Sequence, residues 1–288
     1  MTRIGAVFNP YHHAPEELRA AVQVAETAAV PELWLWEDCF RESGYASAAA
    51  ALAWSENLRI GLGIAPLPLR NVAVTAMEIA TIERMFPGRF LPGLGHGVQS
   101  WMAQVGAKAT SPLTLMREQV TALRALLAGD AVTASGRYVT LEGVRLDWPV
   151  ASAPPVYAAG QGAKTLALSG EIADGTVLVS GLTPAEVGEQ IGHVRTGREA
   201  AGRAGEPTVV AYVTAAFGEG ADARVTAQHG DDALAVDRGL AGSPVEVVAG
   251  IARFAEVGVD AVILDPAEGE PDFPAFLRAV GEVARLVS

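Results

Sequence analysis

A short glycine-rich stretch, Gly160-Gln161-Gly162, joins an apolar run at residues 155–159 to a predicted helix over residues 163–168. Glycines at such a junction let backbone N–H groups approach a ligand closely. The start of the helix offers unpaired donors and the positive end of its dipole, and Lys164 would add a charge. The pattern suits the phosphate group of a cofactor. An ordinary strand-to-helix turn that needs glycine explains it equally well.

Two acids and the one cysteine follow another apolar run, ELWLW at residues 32–36. Neighbouring residues on an extended backbone point in opposite directions, so Glu37 and Asp38 are not expected to act as a carboxylate pair. One of them should face a site, and the alternative is that one caps the next segment. Cys39 is either a nucleophile or, more simply, a small buried apolar residue.

His96 lies between Gly95 and Gly97 after a further apolar run, a position that allows close approach to a ligand. A loop histidine bonded to the backbone is the alternative. Other polar residues that directly follow predicted strands are Asn9, Gln99, Gln161 and Asp265.

The tryptophans offer flat surfaces on which a ring could stack. We expect either Trp34 or Trp36 to be core, and the other, together with Trp101, to line a pocket. His12 and His13 are neighbours, but the chain contains no HxH or HExxH spacing, so we predict no metal site.

These residues need a scaffold, and apolar runs alternate with helical patterns along the chain. Strands that alternate with helices indicate a parallel sheet, and eight strands at this spacing predict an α/β fold, a (β/α)8 TIM barrel. A polar/apolar alternation within residues 129–149 predicts a β-ribbon insertion before the fifth strand. The predicted strands are 4–8, 32–36, 58–64, 90–94, 155–159, 175–179, 208–215 and 260–264, and residues 218–241 are predicted to be a loose acidic region.

Composition limits the classes of partner. The chain has 288 residues, half of them hydrophobic, and a net charge of −12, which disfavours nucleic acid and anionic membrane surfaces. A single cysteine excludes an intrachain disulfide. No stretch is apolar enough to cross a membrane, so we expect a soluble cytoplasmic protein that forms one domain over residues 1–288.

Several segments together resemble the bacterial-luciferase-like monooxygenases, a superfamily of flavin and coenzyme F420 oxidoreductases. Within it, the chain is most similar to the F420-dependent branch that includes methylenetetrahydromethanopterin reductase. The matching segments cover nearly the whole chain: residues 33–40 (LWLWEDCF), 59–97, 111–141, 154–178 and 242–264.

The resemblance implies a TIM barrel with F420, or alternatively FMN, in its mouth. Asp38 matches an aspartate that contacts the cofactor ring, and Gly63-Ile64 matches a non-prolyl cis peptide beside that ring. Residues 95–97 (Gly95, His96 and Gly97) match the loop next to the ring. Residues 159–162 (Ala159, Gly160, Gln161 and Gly162) match the phosphate loop, with Lys164 close by.

The chain departs from the family at its proton donors. Many relatives carry histidine where this chain has Cys39, and several carry an acid where it has Val98 and Gln99. Glu37 or His96 would then have to substitute. We therefore predict catalytic roles for Glu37, Asp38 and His96, and substrate contacts for Asn9, Cys39 and Trp101.

The resemblance leaves three functions open. The first is hydride transfer between F420 and a small organic substrate. The second is an FMN-dependent monooxygenase, and the third is a barrel that binds a cofactor without turnover. Members of the superfamily are often dimers, so we expect a homodimer.

Overall fold

The computed structural model describes residues 1–230 and 237–287. Eight parallel strands close into a barrel, because β8 pairs with β9, β9 with β11 and β11 with β1, and the (β/α)8 prediction is confirmed. The barrel consists of β1–β4, β7–β9 and β11. The described strands are β1 Arg3–Phe8, β2 Glu32–Leu35, β3 Arg59–Pro66, β4 Phe90–Gly95, β5 Val132–Ser135, β6 Thr140–Val144, β7 Tyr157–Ala159, β8 Gly175–Leu178, β9 Thr208–Phe217, β10 Gly239–Gly242 and β11 Ala261–Pro266.

Helices connect the strands on the outside of the barrel. Thr183 and Ser243 each begin a helix with a capping box and a proline at the first position. The described helices are α1 Leu18–Thr27, α2 Gly44–Ala53, α3 Val72–Met85, α4 Gln99–Gln104, α5 Pro112–Leu127, α6 Ala163–Ile172, α7 Pro184–Ala200, α8 Ala221–His229, α9 Pro244–Glu256 and α10 Phe273–Val287. None of them is long and apolar enough to cross a membrane.

The predicted ribbon is present as the antiparallel hairpin β5–β6, inserted between α5 and β7. One carboxylate holds it against the barrel. Glu118 of α5 accepts hydrogen bonds from the backbone N–H groups of Arg137, Tyr138 and Val139 at 2.9, 2.7 and 3.0 Å. The turn of the hairpin is therefore fixed by α5.

The third strand is longer than predicted. We expected it to end before Pro66, yet β3 includes Ala65 and Pro66. The register of β3 against β4 shifts between Leu62 and Ala65, which places one extra residue on β3. Such a bulge breaks the hydrogen-bond ladder, so a proline beyond it costs little pairing.

The region predicted to be loose, residues 218–241, contains regular structure that the sequence pattern did not indicate. Helix α8 begins at Ala221, and β10 pairs in parallel with the outer half of β9, which extends beyond the predicted residue 215 to Phe217. Residues 231–236 of this region lie outside the described residues.

The barrel interior is filled by side chains from alternate strand positions. Trp34 is fully buried there, in edge-to-face contact with Tyr157 and Tyr212 at centroid distances of 6.1 and 5.9 Å. The lower end is closed by Glu32, which accepts hydrogen bonds from the Trp34 indole and from Arg3, both at 2.9 Å. This packing leaves the carboxyl ends of the strands as the open end of the barrel.

Helices α6 and α7 touch backbone to backbone at two glycines. A Cβ atom added to Gly197 would lie under 3.0 Å from the carbonyl oxygen of Ala167, and one added to Gly170 would meet the carbonyl of Val194 in the same way. The middle and last turns of α6 are thus held on α7 by contacts that only glycine permits.

Candidate active site

The predicted phosphate loop, residues 159–162, lies at the carboxyl end of β7, where α6 begins. Gly162 is the N-cap residue of α6 and supplies no side-chain cap to its free N–H groups. Its backbone is extended, with φ −87° and ψ 148°, and a Cβ atom there would meet nothing within 4 Å. The helix therefore starts with open space in front of uncapped donors, which is the geometry that binds an anion.

Three neighbouring strands bring the predicted ring-contacting residues together. A Cβ atom on Gly95 would lie 3.1 Å from Cδ1 of Ile64 and 3.4 Å from the carbonyl oxygen of Ala159. The peptide bond between Gly63 and Ile64 is cis, which confirms that prediction, and a second non-prolyl cis bond joins Cys39 to Phe40. The residues at 63–64, 95 and 159 thus form one continuous surface.

His96 lies beside this surface and next to the phosphate loop. Its Nε2 atom is 3.5 Å from the Thr165 hydroxyl group, and Thr165 in turn packs against Gly160. Burial lowers the pKa of His96, so the imidazole is neutral at pH 7. A neutral imidazole suits hydrogen bonding to a ligand better than proton donation.

Asp38 is held by a residue that the sequence reasoning missed. The Tyr11 hydroxyl group donates a 2.8 Å hydrogen bond to Oδ2 of Asp38, and the Arg41 guanidinium lies 3.9 Å above the Tyr11 ring. Burial raises the pKa of Asp38, while the bond from Tyr11 and the charge of Arg41 oppose that rise. Tyr11 comes just after Asn9-Pro10, and its position at a strand end was the available signal.

Glu37 faces away from Asp38, as the alternation of the backbone requires. Its carboxylate forms a two-pronged ion pair with Arg70 and also accepts a 2.7 Å hydrogen bond from the N–H of Gly44, at the start of α2. Both oxygens are therefore occupied, and the capping alternative describes this residue. Glu37 takes no part in the function proposed below.

The remaining predicted residues differ in how close they come to the mouth. The pKa of the half-buried Cys39 thiol is raised by burial and by the charges of Glu37 and Asp38, so it is a poor nucleophile. Trp101 is half-buried on α4. Lys164 faces the outer groove between α5, α6 and α7, on the same side of α6 as Glu171.

Trp36 and Tyr212 connect the two sides of the mouth. Trp34 is core and Trp36 is only half-buried, with its ring 5.8 Å from that of Tyr212, as one of the two alternatives predicted. The Tyr212 hydroxyl donates a 3.2 Å hydrogen bond to the carbonyl of Gly63. Tyr212 was missed because it lies in an apolar strand, although a phenol there needs a partner.

Another polar cluster, formed by Asp265, Ser180 and Asn9, lies where β11, β8 and β1 end. Asp265 of β11 is 4% exposed, and its Oδ2 accepts a 3.3 Å hydrogen bond from the Ser180 hydroxyl. Burial raises the pKa of Asp265 to about 6, against smaller opposing effects of Ser180 and Asn9. Asn9 is itself 7% exposed and accepts from the N–H of Tyr11 at 2.9 Å.

This carboxyl group should make stability depend on pH. The folded pKa of Asp265, about 6, lies above the ordinary value of 3.8, so ionisation opposes folding. The loss of folding free energy caused by this ionisation is small below pH 4 and grows between pH 4 and pH 6. Above pH 6 it levels off at about 3 kcal/mol. The free energy of unfolding of Asp265→Asn, minus that of the wild type, should therefore increase by about 3 kcal/mol between pH 4 and pH 7. Urea unfolding measures this difference. Asp130→Asn, the same change at an exposed site, should show no such trend.

The chain is similar to proteins of known function over most of its length. The family model described as luciferase-like monooxygenase matches residues 2–234. A 5,10-methylenetetrahydromethanopterin reductase from Methanolobus tindarius is 29% identical over 181 residues, which are 63% of this chain and 55% of that protein. The chain thus spans about half the length of the curated relatives it matches.

Solved structures share the fold. An F420-dependent secondary alcohol dehydrogenase, in complex with an F420-acetone adduct, has a TM-score of 0.86 at 20% identity and covers 100% of this chain and 99% of its own. A Type II Baeyer-Villiger monooxygenase component from Pseudomonas putida, in complex with FMN, has a TM-score of 0.80 at 14% identity, with coverages of 99% and 97%. The barrel, the segments around its mouth and the family match agree: the chain belongs to the luciferase-like monooxygenase family.

Proposed function

We propose that this protein is an oxidoreductase that transfers a hydride between coenzyme F420 and a small organic substrate. The curated relative named above is a reductase of 5,10-methylenetetrahydromethanopterin, and another relative, from Beutenbergia cavernae, is an F420-dependent glucose-6-phosphate dehydrogenase. Their activities motivate the reaction type, and the substrate of this chain is left open.

The observation that carries the proposal is the uncapped start of α6. The N–H groups at the start of α6, preceded by Gly160 and Gly162, would hold the cofactor phosphate. The surface made by residues 63–64 and 95 would lie against the ring, with Asp38 and its partner Tyr11 at the ring edge. The bound cofactor would supply a carbon that accepts or donates a hydride, and the chain would orient it and exclude water.

The proposal is tested by titrating the purified protein with F420 and, separately, with FMN while following tryptophan fluorescence. Trp36 lies at the mouth and should report binding. Saturable binding of F420 alone supports the proposal. If neither cofactor binds, the assignment of the α6 N-terminus to a phosphate is wrong.

An FMN-dependent monooxygenase is the second candidate, because the FMN-bound neighbour from Pseudomonas putida has nearly the same extent as this chain. Both cofactors carry a phosphate on a ribityl chain, so the phosphate loop serves either. Binding of FMN alone, followed by oxygen uptake with reduced FMN, would favour this function over the first.

We also propose that the protein acts in the cytoplasm as a homodimer that uses an apolar surface on α3. Met77 is 59% exposed there and faces the same groove as Trp148, which is 73% exposed. Contiguous exposed apolar groups of this kind are typical of contact surfaces. Light scattering should give twice the 29.9 kDa chain mass.

The variant Met77→Glu should shift that mass to the monomer, because a charge would be buried in the contact. Val245→Glu, an equally exposed apolar site on α9, should leave the dimer intact. A monomeric wild type would contradict the proposal.

A further inference from the structure

The titratable groups at the barrel mouth differ in their partners and in their burial. Glu37 is paired with Arg70, and Asp38 accepts from Tyr11. Cys39 has a raised pKa, so its thiol is neutral, and His96 has a lowered one, so its imidazole is neutral. Among the described carboxyl groups at the carboxyl ends of the strands, Asp265 is the most buried, at 4% exposed, and no charged partner lies beside it.

Asp265 is buried without a compensating charge. Among residues 1–230 and 237–287, no cation forms an ion pair with it, and its Oδ1 atom makes no hydrogen bond of standard geometry, although the nearby Asn9 side chain favours its ionised form. A buried carboxyl oxygen without a partner is costly in a purely structural role. Its other oxygen is bonded to the half-buried Ser180, in the loop after β8.

The surroundings of Asp265 are otherwise neutral. From β1 comes the amide of Asn9, and from β9 come Thr214, which pairs with Asp265 in the sheet, and Tyr212. Burial raises the pKa of Tyr212, and the carboxylates of Asp265, Asp38 and Glu32 raise it further. Helix α10 packs phenylalanines toward this end of the barrel.

We propose that Asp265 and Ser180 form the proton-transfer pair of the active site, with Asp265 holding the proton and the Ser180 hydroxyl passing it to the substrate. This inference rests on the proposed function. Asp265 acts through Ser180 and is in that sense a positioning residue, while Ser180 is the group that would touch the substrate.

The proton step balances the proposed reaction. Reduction of a carbonyl compound adds a hydride to carbon, which the reduced deazaflavin supplies, and a proton to oxygen. The Ser180 O–H bond breaks as the substrate O–H bond forms, and the Ser180 oxygen takes the carboxyl proton of Asp265. Asp265 is then ionised and recovers a proton from water. Oxidation of an alcohol runs through the same steps in reverse.

The first test follows the carboxyl group directly. Carbon NMR of protein labelled at the aspartate carboxyl carbons, between pH 4.5 and 8, identifies Asp265 by the signal that Asp265→Asn lacks. We expect a midpoint near pH 6. Ser180→Ala should raise that midpoint, because the bond from Ser180 favours the ionised form, and Ser180→Thr, which keeps the hydroxyl group, should restore it.

Saturating F420 should move the midpoint as well, because the ring would exclude water from Ser180. A signal that does not titrate between pH 4.5 and 8, or a midpoint that neither Ser180→Ala nor bound F420 moves, overturns the pair. Failure of both F420 and FMN to bind counts against the proposed function instead, and the midpoints of the cofactor-free protein still decide for or against the pair.

The second test uses F420-loaded protein with propan-2-ol as the probe. Asp265→Asn should lower kcat by about 100-fold or more and remove the inflection near pH 6, with F420 affinity unchanged. Asp130→Asn should behave as the wild type. An unchanged pH profile in Asp265→Asn overturns the proposal, and if the wild type does not oxidise propan-2-ol, the NMR midpoints decide alone.

Discussion

The variant Gly162→Asp is expected to fold as stably as the wild type, or slightly more so, and to lose F420 and FMN binding by about 100-fold or more. Stability and cofactor affinity are expected to change in opposite directions, because the N–H groups that an aspartate would cap are the ones proposed to bind the phosphate. Gly162 is the N-cap of α6, in the extended conformation that a capping aspartate adopts, and a side chain there meets no neighbour. A capping carboxylate adds a few tenths of a kcal/mol over glycine.

The carboxylate would occupy the donors that a phosphate needs and would repel its charge. Two like charges about 4 Å apart near a protein surface interact by about 4 kcal/mol, which exceeds the free-energy change of a 100-fold loss. Fluorescence titration measures the affinity, and urea unfolding measures the stability.

The matched control is Gly162→Asn, which caps the helix without a charge. Its affinity should fall between those of the wild type and Gly162→Asp. If the aspartate variant binds either cofactor as the wild type does, the phosphate lies elsewhere. If it fails to fold, the open space in front of α6 has been misjudged.

A second large effect is expected where α6 crosses α7. Gly197→Ala should lower the free energy of unfolding by about 3 kcal/mol, at the upper end of what overpacking costs. The added methyl group would meet the carbonyl oxygen of Ala167, which is backbone and cannot rotate away. The two helices would therefore have to separate. Because the proposed phosphate loop leads directly into α6, cofactor affinity should fall in the same variant.

Gly192→Ala, on the same helix, is the control. Nothing lies within 4 Å of the position where its methyl group would be, so the change should stabilise α7 by about 0.5–1 kcal/mol through helix propensity alone. Equal effects of the two substitutions would show that the crossing is looser than described.

The sequence predicted the barrel because the relevant signals are local. The run at residues 33–36 is apolar, which is typical of a strand buried on both faces. The polar/apolar alternation within residues 129–149 likewise indicated the hairpin that β5 and β6 form. The glycine-containing turn between β7 and α6 was also predictable, because strand, glycines and helix are consecutive in the chain.

Residues whose partners are distant in the chain were harder to place. The sequence around Glu37 does not predict its ion pair with Arg70, and the sequence around Asp38 does not predict its hydrogen bond from Tyr11. Asp265 could be placed at a strand end, but its raised pKa depends on burial and on Ser180, which only the folded barrel brings to it. Pairing across the barrel therefore decides which acids are free, and the sequence alone does not reveal it.

Closure of the barrel also bears on how the chain is made. Arg3 of β1 pairs with Ala261 of β11, so during translation β1 waits for a strand that begins only at residue 261. Until then one edge of β1 has no partner, although its residues from Ile4 onward are buried in the finished molecule. An apolar strand edge left open through translation is a binding site for other nascent chains. Newly synthesised copies of this protein should consequently depend on chaperones until β11 is complete.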